Sequence, residues 1–428
     1  MVIHVVQRGE SLYSIALDYG VSMSQISIDN GLEAPERLVP GQALVIRFPE
    51  AIHTVLPGET LASIARESGL SLRRLYQNNP VLGGAPRIWP GQTLVLSYRE
   101  EPGPELSVNG YAYPFIDPAL LRATLPYLTW LTPFTYGFTE EGSLVELDDA
   151  ALLSAAGAAG VSCLMHLSTL TAEGDFSNDL AHLALTDSQV QARLLDNISL
   201  TLREKGYRGL DVDFEYVYPD DAGAYAAFLA TLARRLNPLG YPVIAALAPK
   251  TSSTQRGTLY EGHDYSAIGA AVNEVLLMTY EWGYTYGPPM AVAPISNVRQ
   301  VVEYALTVIP AEKIWLGVPN YGYDWLLPFV KGKSKATSLS SQQAVALARR
   351  YGAEIAYDDL SQSPWFRYTD ESGGEHEVWF EDARSIQAKL ALIPEYGLLG
   401  AGYWNLMRPF PQNWRGLSSL YQIRKSPS

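Results

Sequence analysis

The first hundred residues contain one unit twice, and this repeat constrains the fold more than any other feature of the chain. Residues 3–15 return as residues 52–64 with Ile-His, Gly-Glu-Ser/Thr-Leu and Ser-Ile in register. Each copy closes on Pro-Gly-Gln and an apolar run, at 40–46 and 90–96. A repeat of this length is one supersecondary unit per copy, so the chain begins with two small domains of the same fold.

The order of segments within a copy predicts a βααβ unit. A short β-branched run precedes Gly-Glu-Ser or Gly-Glu-Thr, whose hydroxyl can cap a helix. In the first copy the apolar residues Leu12, Ile15 and Ala16 share one face of that helix. A second short helix and a closing strand follow.

This unit, with both motifs in place, closely resembles the LysM module, which binds N-acetylglucosamine-containing glycans such as peptidoglycan and chitin. The resemblance implies modules at 2–48 and 51–98, followed by a Pro/Gly-rich linker at 99–106. It also implies glycan contacts in the first turns, at Gly9, Ser11, Leu12, Gly58, Thr60 and Leu61. Adaptor domains or modules for another ligand are the alternatives, and the choice between peptidoglycan and chitin stays open.

Composition narrows the classes of partner and of chemistry. The 45 acidic and 31 basic residues give a formal net charge of -14, and no basic stripe is present, which argues against a nucleic-acid partner. Cys163 is the only cysteine and lies in an apolar run, which predicts a buried residue without a catalytic role. No stretch has the length and apolarity of a membrane span, so no membrane insertion is expected.

The N-terminal segment lacks the features of a secretory signal peptide. Arg8, Glu10 and Asp18 fall within the first twenty residues, and no apolar core segment is present there. The sequence therefore predicts a protein made in the cytoplasm, or one whose leader was removed.

From residue 107 to 428 apolar strand-like runs alternate with amphipathic stretches, one of which is 221–236 with Asp220 or Asp221 as its cap. The eight runs are 108–113, 127–138, 161–167, 209–215, 243–248, 275–280, 314–319 and 398–404. Repeated βα units of this number predict an α/β fold, a (β/α)8 TIM barrel. Strand-rich segments at 354–358, 365–368 and 376–380 predict an insertion at the rim of the barrel, where insertions commonly wall a cleft.

Three carboxylates alternate with apolar residues in the fourth run. Period two places Asp211, Asp213 and Glu215 on one face of a strand, about 6.5 to 7 Å apart, so their titrations couple. An acidic solvent-facing edge strand and a divalent metal site are the alternatives.

Gly209 and these carboxylates resemble the DGxDxDxE signature on the fourth barrel strand of the family 18 chitinase-like glycoside hydrolases. The resemblance implies that Glu215 is the general acid/base, that Asp213 hydrogen-bonds the substrate acetamido group, and that Asp211 supports the charge of Asp213. In that family the N-acetyl oxygen attacks the anomeric carbon, so one catalytic acid suffices and the configuration is retained. No metal or organic cofactor is implied.

Other strand ends resemble the same family in chain order. Met278, Tyr280 and Glu281 match its Met-x-Tyr-Asp, which implies that Tyr280 holds the acetamido oxygen and the other two line the subsite. Trp404 matches the floor beneath the distorted sugar, and Tyr111 an aromatic near that floor. Asn320, Tyr321 and Tyr136 are further candidates for the sugar cleft.

The sequence departs from the family signature at three positions. Arg208 replaces the first Asp, Phe214 replaces a Trp, and Glu281 replaces an Asp. With two LysM-like modules, these features resemble the spore germination branch, the cortical fragment-lytic N-acetylglucosaminidases of endospore-forming bacteria. That branch implies peptidoglycan of the spore cortex as the partner, with synthesis in the mother cell and deposition at the cortex or coat; an extracellular cell-wall enzyme is the alternative. An ordinary chitinase and a catalytically silent glycan-binding protein remain the other functional hypotheses.

Overall fold

The computed structural model describes residues 1–171 and 173–425. Ala172 and the last three residues of the predicted barrel domain lie outside this part. The chain forms two small modules, a parallel barrel and an antiparallel sheet at the rim of that barrel. No helix within 1–171 and 173–425 combines the length and apolarity needed to cross a membrane.

Both N-terminal modules have the predicted βααβ order. The first consists of β1 (Val2–Val5), α1 (Leu12–Tyr19), α2 (Met23–Asn30) and β2 (Ala43–Ile46), and the second of β3 (Pro49–Thr54), α3 (Leu61–Glu67), α4 (Leu72–Asn78), a 3-10 turn (Pro80–Leu82) and β4 (Thr93–Tyr98). The two strands of each module pair antiparallel. The second module starts at Pro49, two residues before the predicted boundary, because β3 follows the first module almost without a break.

The first helix of each module begins at the predicted hydroxyl residue. Ser11 caps α1 and Thr60 caps α3, each in a capping box with the serine three residues later. Leu12 and Leu61 are buried in the cores of their modules. These four side chains therefore stabilise the modules, and the prediction that they contact glycan needs correction for Leu12 and Leu61, whose side chains are enclosed.

Asn30 and Asn79 close the two modules in the same way. The Asn30 amide donates to Val45 O at 2.8 Å and accepts from Val45 N–H at 2.6 Å. Asn79 makes the matching pair of contacts with Val95, at 2.8 and 2.7 Å. A buried amide that satisfies both groups of a strand residue fixes the second helix against the closing strand.

The barrel and rim contain the remaining elements, numbered in chain order. The strands are β5 (Glu105–Ala112), β6 (Trp130–Pro133), β7 (Gly137–Phe138), β8 (Leu144–Val145), β9 (Ser162–Cys163), β10 (Met165–Ser168), β11 (Leu210–Asp213), β12 (Val243–Leu247), β13 (Glu274–Leu277), β14 (Ile314–Pro319), β15 (Tyr321–Leu326), β16 (Thr337–Ser340), β17 (Ala356–Asp358), β18 (Ser363–Thr369), β19 (Glu375–Trp379), β20 (Gly400–Trp404) and β21 (Gln422–Ile423). The helices are α5 (Pro118–Thr124), α6 (Ala150–Ala158), α7 (Asn178–Thr186), α8 (Ser188–Lys205), α9 (Ala222–Leu236), α10 (Tyr265–Ala271), α11 (Ile295–Leu306), α12 (Ser341–Tyr351), α13 (Ala383–Tyr396) and α14 (Pro411–Leu420).

The parallel strands form the predicted barrel. Their order is β10-β11-β12-β13-β14-β20-β5-β6-β9, and β9 and β10 are two halves of the third strand, interrupted at Leu164. One half pairs with β6 and the other with β11, so the third strand joins the two ends of the sheet. All eight predicted runs contain barrel strands, and Cys163 is buried in the third of them.

Two boundaries and one helix cap differ from the sequence prediction as follows. The fourth strand ends at Asp213, so Glu215 lies on the turn that follows, because the chain leaves the sheet at the mouth of the barrel. The first strand begins at Glu105, which shortens the linker to 99–104. Asp221 precedes α9 without capping it, because its carboxylate contacts His182 instead.

The predicted rim insertion is a five-stranded antiparallel sheet of order β16-β15-β19-β18-β17, backed by α12. Its strands β17, β18 and β19 overlap the three predicted segments, although 354–355 and 380 lie outside them. The sequence prediction missed β15 and β16, because β15 follows barrel strand β14 after a single residue and the two read as one region.

The modules pack directly on the barrel through Arg415 of α14. The Arg415 side chain is buried; its Nε lies 2.8 Å from Asp29 Oδ1 of the first module, and its Nη2 donates to the hydroxyl of Tyr98 of the second at 2.7 Å. Arg415 Nη1 also donates to Gln77 O. One barrel side chain therefore contacts both modules, whose orientation the sequence left open.

The two Pro-Gly-Gln motifs have different surroundings. A Cβ on Gly41 would lie 1.8 Å from Ile355 O of the rim region, and Ile355 N–H donates to Pro40 O at 2.9 Å. A Cβ on Gly91, the matching residue of the second module, would meet no atom within 4 Å. The first motif is therefore part of an interface, whereas a side chain at Gly91 would enter open space.

Candidate active site

The three predicted carboxylates lie along β11 and the turn after it, each closer to the mouth of the barrel than the one before. Asp211 is fully buried inside the barrel, Asp213 is buried at the end of the strand, and Glu215 is partly exposed in the mouth. Phe214, fully buried, accepts a hydrogen bond at its carbonyl from His263 Nε2 at 2.9 Å. This anchor holds the backbone at the point where Glu215 leaves the sheet.

Among the described residues, one side chain makes a hydrogen bond to Asp211. The Tyr111 hydroxyl on β5 donates to Asp211 Oδ2 at 2.6 Å. The other oxygen of Asp211, and Oδ1 of Asp213, are buried without a hydrogen-bond partner among residues 1–171 and 173–425. Burial raises the pKa of Asp211, and the neighbouring Asp213 raises it further. Two unsatisfied carboxyl oxygens on one strand are suited to retaining a proton.

His166, which the sequence prediction did not select, faces this pair from β10. Its Nε2 lies 3.6 Å from Asp213 Oδ2, and its Nδ1 lies 2.6 Å from the Thr135 hydroxyl. Burial lowers the pKa of His166 to about 4, so the ring is neutral at neutral pH. The imidazole therefore contributes no positive charge that would offset the carboxylates.

Glu215 is the carboxyl group that can exchange a proton with a ligand. Burial raises its pKa well above the usual range, and the negative charges of Asp213 and Glu281 add to the effect. Burial raises the pKa of Asp213 as well. A cleft carboxyl that keeps its proton near neutral pH has the property required of a general acid.

The turn after β13 supplies the next part of the site. Met278 and Tyr280 line the same cleft as Glu215. Glu281 has a left-handed backbone with φ 66° and accepts hydrogen bonds from the hydroxyls of Tyr321 and Tyr323. Tyr321 is thus placed beside the cleft, where it holds Glu281.

Trp404 ends β20 and lies at the floor of the cleft among aromatic rings. Its ring centroid is 4.8 Å from that of Phe134, 5.8 Å from that of Tyr111 and 6.1 Å from that of Tyr113. All three pairs meet edge to face, which fixes the orientation of the indole. An apolar face held in this way is a suitable platform for a sugar ring.

These residues converge on one open cleft of about 700 Å³. Its lining consists of Asp213, Glu215, Pro249, Leu259, Tyr260, Met278, Tyr280, Glu281, Trp282 and Trp404. The structure thus brings together residues from β11, β12, β13 and β20, which are distant in sequence. Within 1–171 and 173–425 no group of three or more His, Cys, Asp or Glu residues is placed to hold a metal ion.

Three predicted substrate-binding residues do not line the cleft or the barrel mouth around it, and one of them, Tyr111, is buried on β5 with its hydroxyl on Asp211. Tyr136 is completely buried, and its hydroxyl contacts Asp149 and Lys205, so the prediction that it binds sugar is wrong. Asn320 is also buried, since only 1% of it is exposed, and it does not line the cleft. Tyr136 and Asn320 both follow a barrel strand, but their side chains point into packed protein.

Sequence reasoning also missed cleft residues that a pattern could have revealed. Tyr113 and Phe115 continue the period-two alternation that begins at Tyr111 on β5, and both line the mouth of the barrel. Tyr323 repeats the same spacing from Tyr321 on β15. Tyr260 and Trp282 lie in loops and carry no comparable signal.

Known proteins share this sequence and fold over its full length. The chain is 42% identical over 435 residues to the cortical fragment-lytic enzyme of Bacillus subtilis (strain 168), which covers 99% of each chain. The structure matches that of the Bacillus cereus spore cortex-lytic enzyme SleL with a TM-score of 0.84 and 39% identity, over 99% of this chain and 98% of that one. The chitinase of Chromobacterium violaceum matches with a TM-score of 0.68 and 26% identity, over 73% and 98% of the two chains.

The domain families agree with these matches. The LysM domain matches residues 4–47 and 53–97, and both copies indicate a ligand that contains N-acetylglucosamine. Glycosyl hydrolases family 18 matches residues 165–408. The chain therefore belongs to glycosyl hydrolases family 18 and carries two LysM domains ahead of its barrel.

Proposed function

We propose that this chain is a retaining N-acetylglucosaminidase that hydrolyses peptidoglycan, in the form of spore cortex fragments, during germination. The observation that carries the proposal is the raised pKa of Glu215 in a cleft shared with Asp213, Tyr280 and Trp404. The full-length likeness to cortical fragment-lytic enzymes supports the choice of substrate.

The first step transfers a proton from Glu215. The protonated carboxyl donates to the glycosidic oxygen as the bond to the leaving sugar breaks. The carbonyl oxygen of the substrate's own N-acetyl group attacks the anomeric carbon and forms a cyclic oxazolinium ion. No second carboxylate of the protein has to act as the nucleophile.

Asp213 and Tyr280 are placed to assist this attack. The Tyr280 hydroxyl in the cleft would hold the acetamido oxygen, and Asp213 would accept from the acetamido N–H. The proton retained near Asp211 and Asp213 would let the charge on Asp213 adjust as the positive oxazolinium forms.

Glu215 acts as a base in the second step. Its carboxylate takes a proton from water as that water attacks the anomeric carbon and the oxazolinium ring opens. The two displacements on one carbon return the original configuration, so the product retains it.

The LysM modules would hold the enzyme on the insoluble polymer and raise the local concentration of cleavable bonds. Gly9 and Gly58, exposed in the first loops of the two modules, remain proposed glycan contacts with the Ser11 and Thr60 turns. We assign the enzyme to the spore cortex or coat, after synthesis in the mother cell.

Digestion of purified cortex fragments tests this function. Wild-type protein should release products with N-acetylglucosamine at the reducing end, identified by mass spectrometry, and Glu215→Gln should release none. Glu204→Gln, an exposed change on α8, is the matched control and should behave as wild type. Faster turnover of chitin oligomers than of cortex fragments would instead indicate a chitinase, and binding without cleavage by wild type would indicate a silent glycan-binding protein.

A further inference from the structure

The active-site cleft continues past Trp404 into a second pocket of about 620 Å³. The two share Trp404 and Glu281, so they form one groove. The second part is lined further by Tyr113, Phe115, Tyr323, Ser338 and Arg408. Asp213 and Glu215 line only the first part.

Arg408 is a cation without a charged partner in this pocket. Its Nη2 donates to the Ser338 hydroxyl at 2.7 Å. Its Nη1 is buried and has no hydrogen-bond acceptor within the described part of the chain. A buried unpaired N–H on a charged group is costly, and a ligand oxygen that reached the guanidinium would remove that cost.

The position of Glu215 determines which sugar the pocket would hold. The leaving sugar must contact Glu215, because this residue protonates the oxygen between the two sugars. The second pocket shares Trp404 with the first and lacks Glu215. It therefore takes the sugar that precedes the reacting one, on its non-reducing side.

The pocket offers an apolar surface for that sugar. Tyr113 and Phe115 are stacked with ring centroids 5.3 Å apart, and 78% of Phe115 is exposed. Exposed aromatic faces pack against the C–H faces of sugar rings. Arg408 then lies at the polar part of the same pocket.

We propose that Arg408 recognises the carbonyl oxygen of the 3-O-lactyl group on a muramoyl residue in this pocket. The inference rests on the proposed function, since peptidoglycan alternates two sugars and a reacting N-acetylglucosamine is preceded by a muramoyl residue. The lactyl carbonyl exists as a free carboxylate, a peptide amide or a lactam, and in each form it accepts a hydrogen bond from a guanidinium. Chitin has no lactyl group, so Arg408 selects peptidoglycan over chitin.

Calorimetric titration with the Glu215→Gln protein as the parent tests this selection. The probes are tetrasaccharides of alternating N-acetylglucosamine and muramoyl residues, one set with free lactyl carboxylates and one with muramic lactam, and chitotetraose. Arg408→Gln should lower the ratio of muramoyl to chitotetraose affinity about tenfold, which is the loss expected for one charge-assisted hydrogen bond. A larger loss for the carboxylate set identifies that form as the preferred partner, and equal losses identify the carbonyl alone.

The control variant is Arg203→Gln, which removes an exposed arginine of α8 that lines neither pocket. It should preserve the preference for muramoyl sugars. Equal weakening of all three probes by Arg408→Gln would overturn the inference, because Arg408 would then act through the shape of the groove. Failure of the proposed function gives a different result, since wild type would then leave cortex fragments intact.

Discussion

The barrel mouth and the interface between modules and barrel both bury charged groups, but in opposite arrangements. In the mouth, Asp211, Asp213 and Glu215 are close together without a cationic partner among the described residues, and burial raises the pKa of each. At the interface, Arg415 faces Asp29 in an ion pair. Like charges held together make a proton available for chemistry, whereas opposite charges held together fix geometry.

The largest expected effect belongs to the mouth. Asp213→Asn should reduce kcat/KM on cortex fragments about 10³-fold, because it removes both an acetamido partner and a charge that raises the pKa of Glu215. With that charge absent, Glu215 loses its proton at lower pH, so the alkaline limb of the pH profile should move toward lower pH. Asp148→Asn, an exposed change, should leave the profile in place, and an unmoved limb in Asp213→Asn would contradict the coupling.

A substitution at the interface between modules and barrel should lower the free energy of unfolding. Arg415→Met should lower the free energy of unfolding by about 3 to 5 kcal/mol, because Asp29 remains buried without its partner. The double change Arg415→Met with Asp29→Leu should recover much of the loss, and both proteins should cut short soluble fragments at the wild-type rate. Urea denaturation and kinetics measure the two quantities. A double variant no more stable than the single one would show that the pair does not act as a unit.

A smaller effect is expected on the free energy of unfolding when the carboxyl of Glu215 is removed. The folded pKa of Glu215 lies above its unfolded value, so the folded protein binds the extra proton and loses stability as pH rises between these two values. Glu215→Gln carries no such charge and should be more stable than wild type by about 1 to 2 kcal/mol at alkaline pH. The two proteins should converge at pH 4 in urea denaturation. A difference that is constant with pH would exclude the carboxyl as its cause.

The smallest predicted effects concern two buried tyrosine hydroxyls. One donates to a carboxyl group, and the other accepts from a guanidinium. Tyr111→Phe removes the donor to Asp211, and Tyr98→Phe removes the acceptor for Arg415 Nη2. Each should cost about 1 kcal/mol of unfolding free energy, the typical net contribution of one hydrogen bond. Only Tyr111→Phe should also change the pH profile of kcat/KM, because Asp211 lies beside the catalytic carboxyls. A shift in the pH profile of Tyr98→Phe would contradict the distinction between the barrel mouth and the interface.

The sequence contained what was needed to predict the barrel and to select two candidate catalytic groups. Continuous apolar runs mark buried parallel strands, and Asp213 and Glu215 were selected because they resemble the signature of the family. The rim sheet was only partly predicted, because β15 follows β14 too closely to be separated by a turn signal. Side-chain direction after a strand end was also unpredictable, which is why Tyr136 was wrongly placed in the cleft.

Contacts between distant segments could not be predicted. Tyr111 and Asp211 are 100 residues apart, and local patterns contain no information on which hydroxyl meets which carboxyl. The same is true of Arg415, which a helix pattern marks only as one polar residue of α14. Its burial depends on where two separately folded modules meet the barrel.

The different surroundings of Gly41 and Gly91 limit how this chain can be rearranged by recombination. The two modules have the same fold and the same closing motif, yet only Gly41 lies against the rim region. A copy of the second module in the first position would therefore lack the matched surface, even though it folded correctly. Two units of one fold therefore occupy places in the chain that are not interchangeable.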